Sequence, residues 1–183
     1  MTQHTAAAQK TIQPYESGES AFSGQFYKPY TLAAQRMFLL CCRIRDERRA
    51  DGEDPGVCEM TYRLKTPASI SGKLLDKGLP VCAASAGSAL RDVAGLRIIL
   101  ESTAQVYRFA ALIARSGDAE LLETRDYIKQ PKPSGYRSLH LILGVPVHTG
   151  QGQWLVPVEV QLRTPGMNIW ASIEHEMIYK PAK

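Results

Sequence analysis

Pro131 and Pro133 stand two residues apart between two apolar runs, and their fixed φ and missing N–H bar residues 126–140 from a helix or a central strand. The segment therefore reads as a loop joining two strands. Gly135 frees the backbone just before Tyr136, and Lys129, Lys132, Arg137 and His140 surround that ring with actual or potential positive charge. An exposed ring among cations suits a nucleobase and its phosphates. A solvated loop whose tyrosine packs on its own neighbours has the same spelling.

With 183 residues the chain is long enough for one core of ordinary size and short for two domains. Its net charge of +4 suggests anionic ligands and leaves nucleotides level with RNA. No apolar run approaches a membrane span, and the first twenty residues are too polar for a signal peptide, so a cytoplasmic location is expected. Cys41, Cys42, Cys58 and Cys82 lack paired metal-ligand spacing and read as reduced packing residues.

Residues 1–25 are rich in Thr, Ala, Gln, Ser and Gly and read as a disordered tail, leaving 26–183 as a single domain. Over residues 30–50, Ala33, Met37, Leu40, Cys41 and Ile44 recur at helical spacing. The cluster Arg43, Arg45, Arg48 and Arg49 at the far end reads as a solvated face, with RNA as the rival. Residues 59–65 read as a strand with Arg63 and Lys65 on one side. A helix follows, capped by Thr66, opened by Pro67 and stopped by Gly78, with Ser69 and Lys73 one turn apart. Cations, a hydroxyl and free helix N–H groups can converge there on an anion, although basic strand-to-helix turns are common.

Residues 81–89 look loop-like, 96–100 suit a buried strand, 103–115 an amphipathic helix ended by Gly117, and 121–128 a further strand. Asp92 and Arg97 differ by an odd number of positions, so both can line one site only if the chain turns or bulges near Ala94 and Gly95. Residues 139–147 and 154–164 read as strands of a hairpin, with Val158, Val160 and Leu162 on one face and Glu159, Gln161 and Arg163 on the other. Pro165 and Gly166 open a last helix. His175 and Glu176 lack the second histidine of a zinc protease, and no Walker or Rossmann glycine pattern is present.

Four segments, in order, carry a resemblance to a known family. Residues 63–73 (RLKTPASISGK) are similar to the ATP-binding segment of the RelA/SpoT-type (p)ppGpp synthetases, and 91–98 (RDVAGLRI) to their metal-binding segment. Residues 126–140 resemble the guanosine-recognition loop, and 159–164 (EVQLRT) with 170–175 (WASIEH) the segment carrying the catalytic glutamate. In length the chain is closest to the small alarmone synthetases. The resemblance implies an α/β (α+β) fold: a nucleotidyltransferase-like mixed, largely antiparallel sheet flanked by helices.

The resemblance also implies an activity, transfer of the β,γ-pyrophosphate of ATP to the ribose 3'-hydroxyl of GDP or GTP. Glu159 and Asp92 would be catalytic and would hold Mg²⁺, with Arg63, Lys65, Ser69, Lys73 and Arg97 on ATP and Lys132, Tyr136, His140, Gln161 and Asn168 on the acceptor. Tyr136 would stack on guanine. Ser134 departs from the family's usual Asn, and Thr66 from its frequent Ser. The chain stops at Lys183, whereas small alarmone synthetases continue into helices that build a homotetramer, so a truncated chain or another assembly is expected. Two rivals remain: a toxin-like relative acting on adenosine nucleotides or the tRNA 3' end, and a silent nucleotide-binding or RNA-binding regulator.

Overall fold

A computed structural model describes residues 21–150 and 152–179, with side chains as far as Met177. Helix α1 (Gly24–Ala50) buries Tyr30, Ala33, Ala34, Met37, Leu40, Cys41 and Ile44 along one stripe. It begins six residues earlier than the sequence suggests. Pro29 reads as a barrier, since it removes an intrahelical hydrogen bond, but Phe22, Phe26 and Tyr30 form an aromatic cluster with successive ring centroids 5.1 Å apart that pins the first turns. Phe22 belongs to the core, so the expected tail overlaps folded structure at residues 21–25; the rest of it lies outside the described residues.

Strand β1 (Val57–Leu64) leads through the Thr66 cap into α2 (Pro67–Asp76), where Thr66 Oγ1 accepts from the Ser69 N–H. Gly78, at φ +67°, closes that helix. The segment expected to be a loop contains a short helix, α3 (Ala83–Ala89). Its alanines favour helix but carry no apolar period to announce it. Strand β2 (Ala94–Leu100), α4 (Thr103–Arg115) and β3 (Glu120–Asp126) follow, then the hairpin β4 (Leu139–Thr149) and β5 (Gly152–Arg163), and finally α5 (Pro165–Tyr179).

The five strands lie in the order β1-β2-β5-β4-β3. Only β2 and β5 run parallel, so the sheet is mixed and largely antiparallel as expected. The two faces differ in chemistry. Met60, Leu96, Ile98, Leu141, Val158, Val160 and Leu162 share one face and pack with the buried stripes of α1 and α4. The opposite face is polar, and it carries the candidate site. No helix among the described residues is long and apolar enough to cross a membrane.

Candidate active site

Register sets the site, because residues opposite one another on neighbouring strands share a face. One rung of the polar face runs Arg63, Gly95, Glu159, Ile142, and the next runs Thr61, Arg97, Gln161, His140, Arg125. Gly95 has no side chain, so the floor between Arg63 and Glu159 is left open. Asp92 is placed by a bend over residues 91–93 that precedes β2, and β2 pairs regularly with β5 from Ala94 onward. The parity obstacle to a shared site is removed there, without a bulge.

Glu159 is 8 % exposed, and both of its carboxylate oxygens are engaged. Oε1 lies 3.1 Å from His140 Nδ1, and Oε2 accepts from Gln161 Nε2 at 2.7 Å. Burial pushes this carboxyl up, but His140 and Gln161 outweigh it and leave the pKa below the ordinary carboxylate value. Asp92 follows the same logic. Burial raises it, while Lys73 Nζ at 2.5 Å and Lys65 Nζ at 3.0 Å bring it below its usual value.

For a depressed carboxyl the added stability is present above the unfolded pKa, about 4, and is lost as pH falls through the lower folded value. Asp92→Asn should therefore flatten the fall in Tm between about pH 5 and about pH 3, measured without metal. Parallel falls in the two proteins would remove Asp92 from the acid-sensitive set.

Arg63, Arg97 and Arg163 supply positive charge, and none of them makes an ion pair among the described residues. Arg97 has a buried Nε without a hydrogen-bond partner among the described residues. Burial, followed by the repulsion of Arg163 and Arg63, lowers its pKa. A partly desolvated guanidinium flanked by like charges is poised for a polyanion. Lys65 and Lys73 converge as expected, here on Asp92. Ser69 sits exposed at the start of α2, its Oγ accepting from Thr66 Oγ1 at 2.9 Å.

The loop between β3 and β4 takes the second of the two readings its sequence allows, a tyrosine packed on its neighbours. Tyr136 is 6 % exposed rather than open, with Lys132 Nζ 4.6 Å and the Arg163 guanidinium carbon 5.2 Å from its ring centroid. Its hydroxyl also needs a partner when buried, and meets His140 Nε2 at 2.8 Å. Helix α5 holds the loop in place. Trp170 Nε1 donates to the Ser134 carbonyl at 3.2 Å, Ser134 Oγ donates to Glu174, and Gly135, at φ +81°, lies against the Trp170 indole. Asn168 Oδ1 accepts from Arg163 Nη1 at 3.3 Å.

Arg163 is the site residue that sequence reasoning left without a role. Its strand alternation with Glu159 and Gln161 was the available signal. The arginine cluster of α1 stays outside the site because α1 packs on the apolar face, and each member meets an acid: Arg43 with Asp118, Arg45 with Asp46, Arg48 with Asp51 and Glu53, and Arg49 with Asp54. An open cavity of about 950 Å³ near Tyr30, Gly87 and Trp154 contains none of the site residues.

The polar face of the mixed sheet thus sets arginines without an ion pair among the described residues beside a buried carboxylate. Comparison with known proteins makes the class specific. The model of the region found in RelA / SpoT proteins matches residues 62–183. GTP pyrophosphokinase YjbM of Bacillus subtilis is 33% identical over 156 residues, 85% of this chain and 72% of the relative. GTP pyrophosphokinase YwaC of the same organism is 38% identical over 118 residues, 64% of this chain and 56% of the relative, so the chain spans little more than half of that protein. Among solved structures, a GTP pyrophosphokinase family protein from Streptococcus pneumoniae superposes with a TM-score of 0.80 at 32% identity, covering 85% of this chain and 76% of the other. The small alarmone synthetase 1 of Bacillus subtilis bound to its product pppGpp gives 0.78 at 33%, covering 85% and 80%. The chain belongs to the RelA/SpoT family.

Proposed function

We propose that the chain is an alarmone synthetase that transfers the β,γ-pyrophosphate of ATP to the ribose 3'-hydroxyl of GDP or GTP, giving ppGpp or pppGpp and AMP in the stringent response. The observation that carries this is the placement of ionised Glu159 on the same sheet face as Arg63, Arg97 and Arg163, across the gap left by Gly95. The acceptor oxygen bonds to the β-phosphorus as the bond from that phosphorus to the α,β-bridging oxygen breaks, and the hydroxyl proton goes to Glu159. A hydroxyl of high pKa is not deprotonated outright by a carboxylate, so Glu159 orients it and takes the proton late. Arg63, Arg97, Lys65, Ser69 and Lys73 hold the donor polyphosphate, and positioning and electrostatics supply most of the acceleration.

Asp92 and Glu159, whose charges interact, supply hard oxygen donors of the kind Mg²⁺ takes with its few protein ligands. Bound there, the ion would neutralise phosphate charge. Lys65 and Lys73 neutralise Asp92 in this structure and would be released to the phosphates. On the acceptor side, Lys132 lifting from Tyr136 would open the ring for guanine, with Lys132, His140, Gln161 and Asn168 close by. A cytoplasmic homo-oligomer belongs to the same reading, and the exposed Ile169, Ile173 and Met177 on α5 offer an apolar face for self-association.

The test is incubation with Mg²⁺, γ-labelled ATP and, separately, GDP, GTP, ADP and deacylated tRNA. Label on GDP or GTP with release of AMP is the expected result. Label confined to ADP or tRNA, or no transfer at all, would overturn it.

A further inference from the structure

Arg163 is 5 % exposed, and its donors go to neutral acceptors. One nitrogen, Nη2, donates both to Tyr136 Oη at 2.7 Å and to Gln161 Oε1 at 2.9 Å. From those two groups separate arms lead on to the two oxygens of Glu159, through Tyr136 and His140 on one side and through Gln161 on the other. The five side chains close a ring. Its polarity is forced at both ends, because a guanidinium can only donate and an ionised carboxylate can only accept. In a neutral His140 the ionised Glu159 takes the Nδ1 hydrogen, which leaves Nε2 bare to accept from the Tyr136 hydroxyl, while Gln161 presents its oxygen to Arg163 and its NH₂ to Glu159.

We propose that Arg163 is the positioning residue of the transfer reaction, fixing the Glu159 carboxylate by two relayed hydrogen bonds that start from one guanidinium nitrogen. The proposal rests on the reading of Glu159 as proton acceptor, and it assigns Arg163 no contact with the substrates. Each end of the ring is charge-assisted, the guanidinium donating at one and the carboxylate accepting at the other, with neutral groups between them.

The test pairs kinetics with ¹⁵N-histidine NMR, the His140 signal being assigned by its loss in His140→Gln. Arg163→Lys keeps the charge but cannot reproduce the fork. It is expected to lower kcat about tenfold to a hundredfold with KM for ATP changed less than about threefold. The parent should show His140 protonated at Nδ1 and bare at Nε2, and Arg163→Lys should lose that preference. Tyr136→Phe, which retains the ring and the guanidinium, should shift the tautomer in the same way and keeps the test open if Arg163→Lys fails to fold. An unchanged tautomer in the folded variants would overturn the proposal even if kcat fell, as would a raised KM for ATP with kcat intact. The NMR result stands without turnover, so a protein that transfers nothing would refute the proposed activity while still deciding the ring.

Discussion

Glu159→Gln is expected to lower pyrophosphate transfer by about a thousandfold, a barrier increase of about 4 kcal/mol. Two losses combine. The amide cannot take the hydroxyl proton, and it also reverses the polarity of the site at one oxygen. Glu159 accepts from His140 on one side and Gln161 on the other. A glutamine must offer one of those neighbours a donor where it needs an acceptor. Relief requires His140 to change tautomer, which sets it against the Tyr136 hydroxyl, or Gln161 to flip, which sets its NH₂ against Arg163 Nη2. A buried mismatch of this kind costs about 1–3 kcal/mol, so Tm should also drop by about 2–10 °C. Single-turnover transfer and thermal unfolding read the two effects separately. Turnover above about a tenth of the parent, a loss under about 1.4 kcal/mol, would remove Glu159 as the proton acceptor.

Much of this architecture is legible in residue order, and the boundary of legibility has a physical cause. Helix α4 matches its sequence reading because Ser102 caps it, Gly117 stops it and Val106, Phe109, Ala110 and Ile113 keep a clean period. The alternation in β5 likewise separates Glu159, Gln161 and Arg163 from the buried valines. Alternation assigns faces, however, and does not assign neighbours. That Arg97 stands opposite Gln161, and Gln161 opposite His140, depends on strand register, which is set by the whole sheet.

Tyr136 shows the same limit in a side chain. The surrounding cations leave an open ring and a packed one level; in the fold Lys132 and Arg163 cover it, and its hydroxyl meets a histidine four residues on and an arginine twenty-seven residues on. The resemblance to the synthetases named Glu159, Gln161, His140 and Tyr136 and gave Arg163 no role. It did not supply the ring, because the ring comes from contacts between two stretches, 136–140 and 159–163, that are distant in sequence.

Arg97→Met should separate stability from activity in opposite directions. Arg97 Nε is buried without a partner among the described residues, and burial, followed by the charges of Arg163 and Arg63, disfavours its charged form. Methionine keeps the apolar stem and removes both penalties. The Tm of the ligand-free variant should hold or rise, by about 2–4 °C for each kcal/mol recovered. Activity should move the other way. Loss of a charge-assisted phosphate contact in a site that relies on electrostatics is expected to lower kcat/KM for ATP by about a hundredfold to a thousandfold. The parent should also gain more Tm than the variant when ATP is added, because a ligand stabilises only in proportion to its affinity for the folded state. A variant that loses several degrees and keeps its kcat/KM would make Arg97 a structural residue. The opposed signs are the signature of a charge held in the fold for a ligand, at the expense of the stability of the unliganded protein.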